Sequence, residues 1–144
     1  MIIDLKEIKS LLPHRKPFLF LDKCEIIKIG EEGIGFRKFL KDEYFFKGHL
    51  PDQPIVPGVI LIEALAQTAG IVVSKGLGEN TKKTVLFTSI TSGKFRKPVL
   101  PNDEISFYVR IINSSRSVYK FNGEAKKNSE KMCESIFSAM VIEE

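Results

Sequence analysis

The chain has few of the residues on which metal and thiol chemistry depend. Its 144 residues include only two cysteines and two histidines. Cys24 and Cys133 lie far apart and neither belongs to a CxxC pair, which excludes the usual zinc-binding spacings. Neither lies in a recognisable nucleophile motif. We expect both to be free thiols in a reducing compartment.

The chain also lacks recognisable targeting and membrane segments. Its first residues, MIIDLKEIKSLL, mix acids with bases and contain no basic region followed by an apolar one, so we expect no signal peptide. The apolar run at residues 59–73 is interrupted by Glu63 and Gln67, and it is shorter than the roughly 20 residues that a membrane span needs. We therefore expect a buried core helix in a cytoplasmic protein.

No helix of the predicted structure carries a basic stripe, although the formal net charge is +4. The basic residues are scattered among acids, which argues against nucleic acid as a partner. The densest basic cluster is Lys94, Arg96 and Lys97. It is either a solvated surface or a docking patch for an acidic protein.

The composition and length indicate one globular domain covering residues 1–144. Hydrophobic residues make up 43% of the chain and charged residues 28%, which is ordinary for a globular protein. A chain of this length is long enough to bury a sizeable core.

The pattern of residues predicts a single long helix among consecutive strands. A capping box at Asp4 and Glu7 predicts a short helix to about residue 12. Pro57 and Gly58 open the main helix, which ends near Gly78. The remaining predictions are strands at 18–29, 36–40, 84–95, 104–113, 118–126 and 131–142, a turn or bulge at Gly33 and Gly35, and a helical turn at 42–46. This order indicates the α+β class, with an antiparallel sheet curled round the helix.

The segment GHLPDQPIVPGVILIEALAQTAG, residues 48–70, combines a histidine, an acid and a helix start. His49 can both accept and donate a proton near neutral pH. Glu63 lies on an apolar helix, where desolvation would raise its pKa and let it act as an acid. Gln67 follows four residues later on the same face, where it can hydrogen-bond the carboxylate.

The start of the same helix offers hydrogen-bond donors. The N–H groups of Gly58 and Val59 have no partner within the helix, and the helix dipole favours negative charge there. Such donors can polarise a carbonyl and stabilise an oxyanion. His14 is an alternative base, but no acid lies near it in the sequence, so a surface or turn-stabilising role is favoured.

Three segments of the chain carry a family resemblance. The strings LLPHRKPFLFLD, GHLPDQPIVPGVILIEALAQTAG and KFRKPVLPNDEI closely resemble the β-hydroxyacyl-acyl carrier protein dehydratases of bacterial fatty acid synthesis. The match covers nearly the full chain in order, and the middle string is the specific one. The resemblance implies a hotdog fold, a homodimer with active sites across the subunit interface, and commonly a trimer of dimers.

The resemblance also assigns roles. It implies that His49 is the catalytic histidine and that Glu63, from the other subunit, is the catalytic acid. Gly58 would face the thioester carbonyl with its N–H, and Gln67 would support the acid. A Glu at position 63 resembles the general elongation enzymes, whereas the branch that also isomerises double bonds typically has Asp.

The chain departs from the family pattern at three positions. Lys16 stands where the family often has Tyr near the tunnel mouth, Leu50 replaces a common Phe, and Asp52 replaces a frequent Gly. Leu50 keeps an apolar wall, whereas Lys16 and Asp52 concern the entrance and the acyl chain length. These differences leave the proton chemistry unchanged.

The activity that the resemblance implies is dehydration of a 3-hydroxyacyl thioester to a trans-2-enoyl thioester. The substrate would arrive on the phosphopantetheine of acyl carrier protein, with no metal and no other cofactor. Because that carrier is acidic, a docking patch becomes about as favoured an interpretation of the basic cluster as a solvated surface. Two alternatives remain open: a hotdog thioesterase, which would hydrolyse the same thioester, and a binding module without catalysis.

Overall fold

A single long helix lies against a seven-stranded sheet in this computed structural model, which describes residues 1–78 and 83–143. The helices among these residues are α1 (Leu5–Leu11), α2 (Phe45–Gly48) and α3 (Gly58–Leu77). The strands are β1 (Ile2–Ile3), β2 (Lys23–Lys28), β3 (Glu32–Lys38), β4 (Lys83–Phe95), β5 (Glu104–Ser115), β6 (Val118–Lys127) and β7 (Glu130–Glu143).

The sheet is antiparallel throughout and curls round α3. Its strand order is β1-β2-β3-β5-β6-β7-β4. Strands β5, β6 and β7 form the predicted meander of consecutive neighbours. Strand β4 returns to pair with β7 and forms one edge of the sheet. This is the α+β hotdog arrangement expected from the sequence.

Helix α3 is the core helix of the fold. It ends at Gly78, whose φ of +68° gives the left-handed cap that glycine adopts without strain. Fourteen of its residues are buried. The helix has 20 residues, so it is long and apolar enough to cross a bilayer. The expectation that it is too short for a membrane span was therefore wrong. Burial identifies it instead, because 78% of its most apolar window is covered by the rest of the fold.

The first long strand is shorter than predicted, because it begins at Lys23 rather than at residue 18. A side chain replaces the missing strand partner. The amide of Gln67 donates to the carbonyl of Phe18 and accepts from the N–H of Phe20, both at 2.9 Å. The N–H of Phe20, which is buried, is thus satisfied without a sheet ladder, as burial requires.

The two glycines predicted to form a turn lie inside β3 instead. A Cβ at Gly35 would lie 2.3 Å from Oγ1 of Thr68, and a Cβ at Gly33 would lie 2.6 Å from Cγ2 of Val72. Thr68 and Val72 are one turn apart on α3. The glycines therefore let β3 approach the helix closely.

The remaining differences are small. The helical turn predicted at 42–46 forms at Phe45–Gly48, and the two-residue strand β1 was not predicted. Both cysteines are buried free thiols, as expected. Burial is the largest cause that raises the pKa of Cys24 to about 12 and that of Cys133 to about 11.

Candidate active site

His49 lies directly after α2, and its ring is held by the backbone. Its Nδ1 is 3.1 Å from the carbonyl oxygen of Ile55. A carbonyl oxygen only accepts, so Nδ1 carries the proton in the neutral ring and Nε2 keeps a free lone pair. His49 is therefore prepared to accept a proton through Nε2.

A cavity of about 420 Å³ brings His49 next to the start of α3. Three parts of the chain line it: the turn after α2, the first turn of α3, and the end of β4 with the residues that follow. The lining residues are His49, Leu50, Ile55, Val56, Gly58, Val59, Leu61, Phe95, Arg96, Lys97, Pro98 and Val99. The cavity thus contains two donors predicted from the sequence and two residues of the basic cluster.

Gly58 leaves room for a contact that the sequence did not reveal. A Cβ at this position would lie 2.4 Å from Cε1 of Phe95, a residue 37 positions later in the chain. The absence of a side chain therefore lets the Phe95 ring cover the helix start. Sequence reasoning missed Phe95 because only the sheet brings it here.

Leu50, the residue after His49, has a left-handed backbone with φ of +52°. Such a conformation is costly for a branched side chain and is often found at functional sites. The N–H of Gln53 donates to the Leu50 carbonyl at 2.9 Å, which closes the turn. The turn leaves the Leu50 side chain exposed in the cavity wall.

Glu63 lies in the second turn of α3 with its side chain 19% exposed. Nε2 of Gln67 donates to its Oε2 at 3.0 Å, which is the contact that the spacing predicted. Burial raises the pKa of Glu63 above its usual value, and the hydrogen bond from Gln67 partly opposes this rise. The carboxyl is therefore biased towards its protonated form, which can donate.

Gln67 is fully buried, and its amide nitrogen and its amide oxygen both form hydrogen bonds. Besides its bond to Glu63, it makes the two bonds to Phe18 and Phe20 described above. The amide cannot rotate without breaking a hydrogen bond to the backbone. It therefore fixes both the Glu63 carboxyl and the segment that leads into β2.

His14 lies beside Glu63 in the fold, although no acid accompanies it locally in the sequence. Its Nε2 is 3.6 Å from Oε2 of Glu63, and its side chain is 17% exposed. Burial, and secondly the charge of Arg15, lower its pKa. The sequence separates His14 from Glu63 by 49 positions, so only the packing of the turn after α1 against α3 joins them.

His49 and Glu63 occupy different surroundings within one chain. Glu63 contacts His14 and Gln67, and it is not among the residues that line the cavity of His49. A single chain therefore presents His49, the candidate base, with the helix-start donors in one place and Glu63, the candidate acid, in another.

The basic cluster is partly neutralised by acids of β7. Arg96 lies 3.0 Å from Glu134, and Lys97 pairs with Glu130. Hydrogen bonds from Arg96 and Lys131 lower the pKa of Glu134 to about 2, so this carboxylate stays charged. Lys94 is exposed near the end of β4.

The two entrance departures lie apart from His49's cavity. Lys16 lines a second cavity of about 630 Å³, together with residues that include Leu19, Arg37 and Tyr44. Asp52 is exposed in the turn after His49 and lines neither cavity. Within residues 1–78 and 83–143, no group of three or more His, Cys, Asp or Glu side chains is arranged to hold a metal ion.

Comparison with protein families and curated proteins identifies similar sequences over nearly the whole chain. A family model described as a FabA-like domain matches residues 12–136. The 3-hydroxyacyl-(acyl-carrier-protein) dehydratase FabZ of Caulobacter vibrioides is 41% identical over 142 residues, covering 98% of this chain and 89% of that protein. The protein of the same name from Rhodospirillum rubrum is 38% identical, covering 99% of this chain and 89% of its own.

Solved structures share the fold at much lower identity. The dehydratase heterocomplex ApeI:P from Xenorhabdus doucetiae matches with a TM-score of 0.77 and 13% identity, covering 92% of this chain and 89% of that one. A hypothetical thioesterase from Streptococcus pneumoniae, solved with coenzyme A, matches with a TM-score of 0.62 and 15% identity, covering 96% and 94%. Since a dehydratase and a thioesterase both occur among these structures, the structural likeness establishes the hotdog fold alone.

Proposed function

The chain belongs to the FabA-like family, and from this membership we propose how it works as a 3-hydroxyacyl-acyl carrier protein dehydratase. It converts 3-hydroxyacyl-acyl carrier protein to trans-2-enoyl-acyl carrier protein in fatty acid elongation, and it is a hydro-lyase. We assign this activity to one cytoplasmic domain formed by residues 1–144.

The proposed reaction uses one base and one acid. Nε2 of His49 removes a proton from the carbon next to the thioester carbonyl. The N–H of Gly58 stabilises the negative charge on the carbonyl oxygen, with Val59 beside it. Glu63 protonates the departing β-hydroxyl, so that water leaves rather than hydroxide. These steps balance without a metal or a redox cofactor, and the substrate's phosphopantetheine belongs to the carrier.

The observation that carries this mechanism is the state of Glu63. A carboxyl group normally ionises well below neutral pH and is then a base. Here burial raises its pKa, while the hydrogen bond from Gln67 holds its orientation. A raised pKa favours the protonated form of a carboxyl, and that form is the one that can protonate a leaving hydroxyl.

We propose that each active site combines His49 of one subunit with Glu63 of another. Two features support a homodimer. The base and the acid have separate surroundings within one chain, as described above.

In addition, the edge strand β4 exposes Leu86, Phe87, Ile90 and Phe95. An edge with unpaired backbone groups and apolar side chains is a template for pairing with another chain. Assembly of three such dimers is our proposal for the complete enzyme.

We propose that acyl carrier protein docks on Lys94, Arg96 and Lys97. Arg96 and Lys97 line the cavity of His49, so a carrier bound there would deliver its thioester directly. Acidic groups of the carrier would compete with Glu130 and Glu134 for these cations. We therefore expect the docking to be sensitive to salt.

The test is ultraviolet absorbance during incubation of the purified protein with a 3-hydroxybutyryl carrier-protein thioester, with free thiol measured in parallel. We expect enoyl-thioester absorbance to rise without release of thiol, and His49→Ala to abolish the rise. Release of thiol without enoyl product would identify a thioesterase instead. Neither signal, from a folded protein that binds the carrier, would identify a binding module.

A further inference from the structure

Both contacts of the Glu63 carboxyl fall on the same oxygen atom. Oε2 accepts from Nε2 of Gln67 at 3.0 Å and faces Nε2 of His14 at 3.6 Å. The described part of the chain supplies no hydrogen bond to Oε1. The two oxygens of this carboxyl are therefore not equivalent.

The surroundings of His14 determine which of its nitrogens carries the proton. Its Nδ1 is buried and has no hydrogen-bond partner among the described residues. A proton on Nδ1 would create a buried donor without an acceptor, which is unfavourable. A proton on Nε2 instead faces Oε2 of Glu63. Neutral His14 is thus a donor towards the carboxyl.

We propose that His14 is a positioning residue that, with Gln67, keeps the acidic proton of Glu63 on Oε1. Oε2, which accepts from Gln67 and faces the N–H of His14, is then the carbonyl oxygen of the protonated carboxyl, since that oxygen offers two lone pairs. The proton then resides on the other oxygen, Oε1, which is free to face the substrate. This proposal rests on the proposed function of Glu63 as the acid.

In the free enzyme, the distance of 3.6 Å between Nε2 of His14 and Oε2 of Glu63 is too long for a hydrogen bond. Hydrogen bonds of catalytic groups are often long without substrate and shorten in the complex. Lone pairs of the β-hydroxyl would draw the Oε1 proton towards the substrate. The charge left on the carboxylate would then strengthen the bond from His14 to Oε2.

Two variants separate the donor from the bulk of the ring. His14→Gln keeps an N–H donor near the position of Nε2, whereas His14→Leu keeps an apolar group of similar size without a donor. We expect His14→Leu to lower kcat about tenfold, the effect of one ordinary hydrogen bond, with KM and thermal unfolding temperature unchanged. We expect His14→Gln to restore most of kcat.

The outcomes distinguish this proposal from the function on which it rests. A wild-type protein that forms no enoyl product would refute the dehydratase itself. An active wild type with undiminished kcat in His14→Leu would overturn only the role of His14. An equal loss of kcat in both variants would also overturn it, because a donor would then not suffice. A loss of kcat accompanied by a lower unfolding temperature would reduce His14 to a structural residue.

Discussion

Glu63, the proposed acid, shows how neighbours can adapt one residue to donate a proton. Its position on an apolar helix removes water, which raises its pKa, and Gln67 limits its rotation. Gln67 is itself held by backbone groups at Phe18 and Phe20. The acid is thus oriented through a chain of bonds that begins in the segment before β2.

Replacement of Glu63 by Gln should stop proton donation while preserving shape. We expect kcat to fall on the order of 10²- to 10⁴-fold, the usual contribution of a general acid. Enoyl-thioester absorbance measures the rate, and circular dichroism checks the fold. Glu31→Gln is the matched control, because it removes an exposed carboxylate whose one ion pair among the described residues is with Lys28. A Glu63→Gln enzyme with wild-type kcat would disprove the acid assignment.

The raised pKa of Glu63 also predicts how stability depends on pH. Between the ordinary value of 4.5 and the raised native value, the folded chain holds a proton that the unfolded chain releases. Folding stability due to this group therefore falls as pH rises through that interval. Glu63→Gln lacks the effect, so its stability relative to wild type should increase with pH. Urea unfolding from about pH 4 to pH 8 measures the difference; parallel pH profiles would contradict it.

The site depends on α3 and on its close packing against β3, because Glu63, Gln67 and Thr68 all lie on that helix. Gly35→Ala would place a methyl group against Thr68 and Leu21. We expect a loss of about 1–3 kcal/mol in the free energy of unfolding, as for other overpacked cores. Gly48→Ala is the control, since its Cβ would contact nothing within 4 Å. Equal free energies of unfolding for Gly35→Ala and wild type, measured in urea, would show that α3 moves to accommodate the methyl group without cost.

Elements with a strong local signal were predictable from the sequence. The ends of α3 follow from Pro57, Gly58 and Gly78, and the meander follows from its polar turns. The errors arose where a distant residue decides the local structure. Gln67 replaces a strand partner at residues 18–20, and α3 requires small residues in β3.

The same limit applies to the candidate site. His49, Glu63 and Gln67 stand in one motif, so their chemistry could be read together from the sequence. The contacts of His14 with Glu63 and of Phe95 with Gly58 join residues 49 and 37 positions apart. Such pairs leave no local pattern, because tertiary packing alone creates them.

At the scale of the whole molecule, the exposed edge strand β4 predicts assembly. Ile90 is 51% exposed on this strand, and a Lys there would place a charge in the proposed interface. We expect Ile90→Lys to shift the protein towards monomer in light scattering after gel filtration, and to lose activity with it. Ile29→Lys is the control, because Ile29 is 65% exposed in the turn after β2. An unchanged assembly in Ile90→Lys would exclude β4 from the interface.

The most direct measurement of the central claim is the dehydratase rate of verified mixed dimers made from His49→Ala and Glu63→Gln chains. The two chains would carry different affinity tags, be coexpressed, and be purified through both tags. If each site takes His49 from one subunit and Glu63 from the other, one of the two sites is intact, and the rate per dimer should be about half that of wild type. Either variant alone should be inactive. Mixed dimers with no activity, beside an active wild type, would contradict the shared site.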